Sequence, residues 1–356
     1  MSLPDNGVRG LCASSAQWLE GRGPQADVVL SSRVRLARNL SGQAFPGRGA
    51  EENRERILQL IRSAAQATHY LTDAAFFDLS RLSSLERQAL VERRLASPDL
   101  LREDRGAGLI VGSDQSLSLM INEEDHLRLS SLFSGLDLLE TFRVADQVDD
   151  RLQEKMDFAY SDEWGFLTAC PTNVGTGLRA SVLLHLPALV LTQRIEAELK
   201  NLSQIGMAVR GFYGESSQVS GHLFQLCNRT SLGSTELEII ENVERAGRHL
   251  LESEARAREY LMEQARPETE DKIWRAWGIL ENARVLTSEE FLSLSSAVRM
   301  GISMKILDRP SLEDLNRLMV LIQPANLQLF ADREMEPKER DVWRAELVRE
   351  KIRKRE

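Results

Sequence analysis

Residues 166–186 read FLTACPTNVGTGLRASVLLHL. An apolar run leads into Cys170, breaks at Pro171 and turns through Asn173, Gly175 and Gly177. The chain resumes at Leu178 with Arg179 and Ser181 inside a second apolar run. Gly and Asn enter backbone conformations that other residues resist, so this spacing predicts a strand, a tight turn and a further regular element. The stretch contains no Asp or Glu, although the chain has a formal net charge of -9. A thiol, two hydroxyl donors and an arginine around a carboxylate-free turn suit an anion such as a phosphate. A core strand with a buried cysteine and an isolated arginine is the alternative reading of the same residues.

The chain of 356 residues is long enough for two domains, each with its own core. Its 42% hydrophobic and 28% charged content is that of a soluble globular protein. No apolar run is long enough to span a membrane. The opening MSLPDNGVRGLCASSAQWLEG lacks the basic start and apolar core of a signal peptide. Cys12, Cys170 and Cys227 cannot all pair and have no metal-ligand spacing. A cytoplasmic location and no metal held by the side chains are therefore expected. The acidic balance argues against direct nucleic-acid binding.

Residues 1–25 read as an N-terminal extension with a short helix around Trp18. In DVVLSSRVRLARNLSG, Val28–Leu30 and Val34–Leu36 favour a strand, and Arg33 and Arg35, two apart, would share one face of it. That comb of two guanidinium groups suits adjacent phosphates; a solvated strand face paired with Asp27 is the alternative. Residues 50–100 read as helical, with Ile57, Leu60 and Ile61 on one stripe and Leu85, Leu90 and Leu95 continuing it. Gly108–Gly112 and SLSLMIN are strands, the second delivering Asn122, Glu123, Glu124, Asp125 and His126 at its end. Consecutive carboxylates there demand solvent or cationic partners; a polar loop capping a helix over His126–Phe133 is the competing reading. LVLTQRIEAELKNLSQIG is expected as one helix ending at Gly206, followed by strand in MAVRGFYGESSQVSGHLFQLCN. From Thr235 a long helix begins on a Thr235–Glu238 capping box, with Leu237, Ile240, Val243 and Leu250 buried. ARPETEDK is a polar break containing Pro267, which divides a catalytic domain over 26–264 from a helical domain over 265–356. In the latter, Trp274 and Trp277 share a face, Thr287 and Glu290 have capping-box spacing, Leu312, Leu315 and Met319 make an amphipathic run, and Pro337 opens the last helix.

CPTNVGTGLRAS resembles, almost letter for letter, the reactive-cysteine signature of the phosphagen (ATP:guanido) kinases, which move the γ-phosphoryl group of ATP onto a guanidinium nitrogen. SSRVRLARNLSG resembles their first nucleotide-binding segment, NEEDHLR their carboxylate motif and RGFYGE their third signature. In KERDVWRAELVRE, Arg340 and Arg344 are four apart on a helix with Asp341 beside them. A solvated charged helix is the simple reading, but RDVWRA has the form of the RDxxRA signature of the bacterial protein arginine kinases of this family.

The resemblance implies catalytic roles for Glu124, Cys170 and Glu215. It implies ATP contacts at Ser31, Ser32, Arg33, Val34 and Arg35, at Arg128, and at Arg179, Ala180, Ser181, Val182 and Leu183. The third group of contacts is Arg210, Gly211, Phe212, Tyr213, Gly214 and Glu215. Glu123 would hold water around a magnesium ion that arrives on the nucleotide, and His126 is expected to be structural. Cys227 stands where the family usually has serine and is expected to be a small buried hydrophobe. Arg94 stands where a histidine on the adenine side is expected. Arg340, Asp341, Arg344 and Ala345 would form a separate, allosteric phosphoarginine site. A guanidinium stays protonated far above neutral pH, so two glutamates would clamp it and one accept its proton. A Cys170 thiolate would anchor the cation without forming a covalent intermediate, while the arginines stabilise the phosphoryl group in flight.

Members acting on free arginine or creatine carry a helical domain ahead of the catalytic one, for which the signature at Ser31 leaves no room. An open site suits arginine displayed on a protein. A small-molecule guanidino kinase and a catalytically silent phosphoarginine-binding adaptor are the alternatives. The implied partners are protein substrates with exposed arginine, a zinc-finger activator, a heat-shock transcriptional repressor and a Clp ATPase, with a homodimer expected. The fold class is α+β, a mostly antiparallel sheet flanked by helices with a helical C-terminal domain.

Overall fold

The computed structural model describes residues 7–102, 105–211 and 221–353. In chain order, α1 (Gly7–Ala13) and a 3-10 turn at Gln17–Leu19 precede β1 (Val29–Arg38). Then come α2 (Glu51–Gln66), β2 (Ala75–Asp78), α3 (Ser84–Glu92), β3 (Gly108–Val111), β4 (Leu117–Ile121) and β5 (Leu127–Ser134). After α4 (Leu138–Gln153) and the two-residue strands β6 (Tyr160–Ser161) and β7 (Gly165–Phe166) comes β8 (Leu178–His185). Next are α5 (Pro187–Leu191), α6 (Ile195–Gln204), β9 (Met207–Gly211) and β10 (Leu223–Asn228). The rest is helical: α7 (Glu236–Gln264), α8 (Arg266–Asn282), α9 (Ser288–Ser303), α10 (Leu312–Leu321), α11 (Pro324–Ala331) and α12 (Pro337–Arg353).

Eight strands form one sheet in the order β2-β3-β4-β5-β1-β8-β10-β9, and every neighbouring pair is antiparallel. β1 lies between β5 and β8, which brings the SSRVR, NEEDHLR and GTGLRAS segments side by side. Because side chains alternate across a strand, Val34 and Leu36, with Ala180, Val182 and Leu226, enter the core built with α4 and α7. The opposite face is divided. Leu132, Leu183 and Leu223 pack on Trp277, Phe291, Val298 and Leu318 of the C-terminal helices, and the remainder carries arginines.

Several expectations are corrected. Residues 50–100 are not continuously helical: Ala75–Asp78 pairs with β3 as the sheet's edge strand, because the aromatic pair Phe76 and Phe77 suits a half-buried strand. The competing reading of a helix over His126–Phe133 fails: Leu127–Ser134 is a strand, held on both sides by β4 and β1. Trp18 sits in the 3-10 turn, and the short helix comes before it. Residues 189–206 form two helices broken at Thr192–Arg194, with Gln193 at φ 57°. No polar break separates α7 from α8: only Ala265 leaves helical geometry, and Pro267 lies in the first turn of α8, where its missing N–H costs nothing. Leu60, Leu237 and Trp274 are exposed at 45%, 54% and 52%. Ile239 takes the buried position expected of Leu237, and Trp277 is buried without Trp274. The Thr235–Glu238 capping box forms in both directions, and Thr287 caps the Glu290 amide.

Candidate active site

The antiparallel register assembles the cationic face. Arg35 on β1 lies opposite Arg179 on β8 and Ser130 on β5, and Arg33 lies opposite Ser181. Arg128 pairs with Ala37, and Arg210 on β9 pairs with Gln225 on β10. Directly opposed residues share a face, so Arg33, Arg35, Arg128 and Arg179 project together. Arg33, Arg35, Arg94 and Arg210 line one cavity, closed on another side by Ser97, Pro98 and Met120. Burial, then repulsion from the surrounding guanidinium groups, pushes the pKa of Arg33 and Arg35 well below the ordinary arginine value. The Nε atoms of Arg33, Arg35 and Arg179 are buried without a partner. Like charges gathered with unsatisfied donors require an anion to complete them, and the triphosphate of ATP has the charge and oxygens to do so. Ser32 does not join this face. Its Oγ donates to Gly135 O at 2.8 Å and accepts from Asp137 N at 2.9 Å, so it fixes β1 to the start of α4. Val34, Ala180 and Val182 likewise lie in the core beneath the arginines, and Leu183 packs on the C-terminal helices.

The carboxylates follow immediately after β4. Glu123 is buried and pairs with Arg128, Oε2 to Nη1 at 3.0 Å, while Ser97 Oγ donates to its other oxygen. Burial opposes the charged form of Arg128, but Glu123, then Glu124 and Asp125, outweigh it and raise its pKa. Glu124 is exposed. Loss of solvent over part of its carboxyl, opposed by Arg128 and aided by Asp125 and Glu123, raises its pKa above the ordinary carboxylate value. Such a group is a better proton acceptor than a free carboxylate. Among the described residues no group of three or more His, Cys, Asp or Glu is placed to hold a metal.

Cys170 is half-buried and free, with Sγ 3.1 Å from Thr172 Oγ1. Two adjacent residues at the end of β1 hold its loop. Arg38, only 2% exposed, pairs with Asp149 at 2.8 Å, donates to Thr176 O at 2.9 Å and lies 3.6 Å above the Phe166 ring. Gly177, at φ 65°, admits that contact: a Cβ there would lie 2.5 Å from Arg38 Nη1. Asn39 donates to Leu167 O at 3.0 Å and to Asp125 Oδ1 at 2.6 Å. Asp125 Oδ1 accepts in turn from Ala169 N at 2.7 Å. Cys170 and Glu124, neighbours of Ala169 and Asp125, are thus tied through one carboxylate oxygen. His126 is structural, as expected: its Nδ1 accepts from Leu40 N at 3.1 Å and its Nε2 lies 3.0 Å from Ala44 O. Cys227 is a buried thiol whose Sγ meets Arg179 Nη2 at 3.7 Å and Ala208 O at 3.5 Å.

Gly211 ends β9 at the margin of this site, whereas Phe212, Tyr213, Gly214 and Glu215 lie outside the described residues. The RDVWRA residues lie on α12, in the C-terminal helical region. Arg344 is buried, donating to Ile322 O at 2.9 Å, Leu286 O at 2.8 Å and Asp341 Oδ1 at 2.5 Å. Arg340 donates to Met335 O at 2.9 Å, and Ala345 is buried among the C-terminal helices. Asn39, Asp125 and Gln225 received no role from the sequence. Local pattern marks Asp125 only as one of three consecutive carboxylates and does not mark Asn39 or Gln225, since each acts through a partner distant in the chain.

An antiparallel sheet presenting converging arginines beside a carboxylate and a free thiol is the arrangement of a guanidino phosphotransferase. The model of the ATP:guanido phosphotransferase C-terminal catalytic domain matches residues 56–257, and that of the protein-arginine kinase McsB C-terminal domain matches residues 266–356. Protein-arginine kinases from Symbiobacterium thermophilum, Moorella thermoacetica and Bacillus subtilis are 47%, 48% and 41% identical. The matches cover 95%, 94% and 95% of this chain and 97%, 97% and 93% of theirs. The chain belongs to the protein-arginine kinase branch of the ATP:guanido phosphotransferase family. Among solved structures, a duplicated taurocyamine kinase from Schistosoma mansoni with bound transition-state-analogue components superposes with a TM-score of 0.59 at 26% identity. The match covers 65% of this chain and 33% of that longer one. A lombricine kinase superposes at 0.58 with 21% identity, covering 71% of each chain, and shares the fold. No helix among the described residues is long and apolar enough to cross a membrane.

Proposed function

We propose that this protein transfers the γ-phosphoryl group of ATP to arginine side chains of proteins. The observation that carries the reading is the juxtaposition of a carboxylate-poor arginine face with Glu124 and Cys170, joined through Asp125. Arg33, Arg35, Arg128, Arg179 and Arg210 bind the triphosphate and stabilise charge on the phosphoryl group in flight. Glu124, with Glu215, clamps the planar guanidinium and accepts its proton. Cys170 Sγ holds the cation from another side. Magnesium on the nucleotide neutralises phosphate charge, and Glu123 orients water near it.

The protein rather than a free amino acid as acceptor is supported by the names of the relatives and by the C-terminal match at 266–356. The same resemblance supports a phosphoarginine site at Arg340, Asp341, Arg344 and Ala345. It also supports a cytoplasmic homodimer, a zinc-finger activator, and a role in inactivating a heat-shock repressor and marking proteins for a Clp protease.

The test offers purified protein and Mg-ATP either free arginine or an unstructured arginine-rich protein, with mass spectrometry under non-acidic conditions and Cys170→Ala as control. Label on protein arginine, lost in the variant, is expected. Label on free arginine alone would move the protein to the small-molecule kinases; no transfer to either acceptor would overturn the catalytic reading.

A further inference from the structure

Glu92 ends α3 and is 4% exposed, yet its partners lie far along the chain. Its two oxygens each accept from Ala325 N at 3.1 Å, and Oε2 accepts from Asn326 N and Nδ2 at 2.9 Å. These donors belong to the first turn of α11, so the carboxylate caps that helix and answers the positive end of its dipole. A buried carboxylate tolerates its loss of solvent only with such a set of donors.

Two residues later the backbone reverses. Arg94 has φ 66°, a conformation that a non-glycine residue keeps only where its surroundings fix it. Arg93 supplies part of that fixing, donating to Gln115 Oε1 at 2.9 Å and to Ser14 O at 3.2 Å. The reversal places the Arg94 guanidinium over Trp18 at 5.8 Å and against Gln225 Oε1 at 3.0 Å. There it lines the same cavity as Arg33, Arg35 and Arg210. The corner that Glu92 grips is held by a second buried side chain as well: Arg344 on α12 donates to Ile322 O at 2.9 Å, three residues before Ala325.

We propose that Glu92 is a positioning residue through which the 322–326 corner of the C-terminal helices sets Arg94 in the nucleotide cavity. Nucleotide affinity then depends on helices that lie outside the sheet. Only Arg93 separates Glu92 from Arg94, so a displacement of the corner passes to the guanidinium with little slack. The inference rests on reading the arginine face as the ATP site.

Full-length protein carrying Glu92→Gln, Arg94→Ala or both would be titrated with a fluorescent ADP analogue, and KM measured separately for ATP and for an arginine-containing protein. Glu92→Gln is expected to weaken nucleotide binding about 3- to 30-fold, the range of long-range coupling, and to leave the acceptor KM unchanged. The double variant should bind no more weakly than Arg94→Ala alone, because both changes remove the same contact. Asn326→Ala, which withdraws a donor from the other side, should reproduce the nucleotide loss and serves if Glu92→Gln does not fold. A variant that melts at lower temperature but binds nucleotide as the parent does would reduce Glu92 to a packing residue and overturn the proposal. So would additive losses in the double variant. If the parent binds nucleotide but phosphorylates no arginine, the proposed function fails while the titration still decides this inference.

Discussion

Asn39 and Asp125, 86 residues apart, share a 2.6 Å hydrogen bond that fastens the end of the central strand to the carboxylate loop. Asp125 passes the connection on to Ala169 N at 2.7 Å, so the positions of Glu124 and Cys170 are set by one buried network. Asn39 Oδ1 also accepts from His126 N at 2.9 Å. Asn39→Ala would leave the Leu167 carbonyl, the His126 amide and Asp125 each short of a partner. A loss of about 2–3 kcal/mol is expected in urea unfolding, with a fall in kcat that exceeds any change in ATP affinity.

Removing an arginine from the site separates stability from binding. Arg33→Met relieves the burial and mutual repulsion that depress this guanidinium. The nucleotide-free protein should therefore melt at the same or a higher temperature. Nucleotide affinity should fall about 10- to 100-fold, the worth of a charged hydrogen bond. Calorimetric melting with and without nucleotide checks both signs.

The pH profile reports on Glu124. Its carboxyl is raised above the ordinary range by partial loss of solvent, aided by Asp125 and Glu123 and opposed by Arg128. Only the deprotonated form accepts a proton. Activity is therefore lost as pH falls through that raised value, earlier than for a free carboxylate, and is retained above it. Glu124→Gln should lower kcat about 10²- to 10⁴-fold and abolish this acid limb. An acid limb unchanged in the variant would assign it to another group.

Thiol chemistry distinguishes the cysteines. Cys12 and Cys227 are buried and Cys170 is half-buried, and burial pushes the Cys12 thiol up to about 11. Iodoacetamide should therefore modify Cys170 first, with one adduct by intact mass. Bound nucleotide and acceptor together should slow that reaction.

Arg38 gives the largest stability effect. It pairs with Asp149 inside the protein, at 2.8 Å and with both side chains under 10% exposed. Arg38→Met leaves Asp149 without its cation and the 165–177 loop without its support from below. A cost of about 3–5 kcal/mol in chemical denaturation is expected.

Much of the site was legible because its residues sit in short contiguous segments. Arg33 and Arg35 on one strand face, Arg179 after a Gly-rich turn, and the carboxylates at the end of β4 follow from local spacing. Secondary structure was less legible where local pattern and tertiary demand diverge. The Ala75–Asp78 strand hides in a helical neighbourhood, since four residues carry too little period to announce themselves. The nearly continuous α7–α8 junction shows the converse, because proline and charge read as a break but suit a helix's first turn.

The sequence by itself determined the chemistry: which arginines, carboxylates and thiol are present, and that their segments match a guanidino phosphotransferase. Tertiary structure alone decided that Arg35 faces Arg179 across β1 and β8, that Asp125 links Glu124 to Cys170, and that Glu92 docks on α11. The physical reason is range. Strand alternation and helix caps act over a few residues and are written locally. Register between distant strands and the partners of buried polar groups are fixed only when the whole core closes and each such group must find a donor or acceptor.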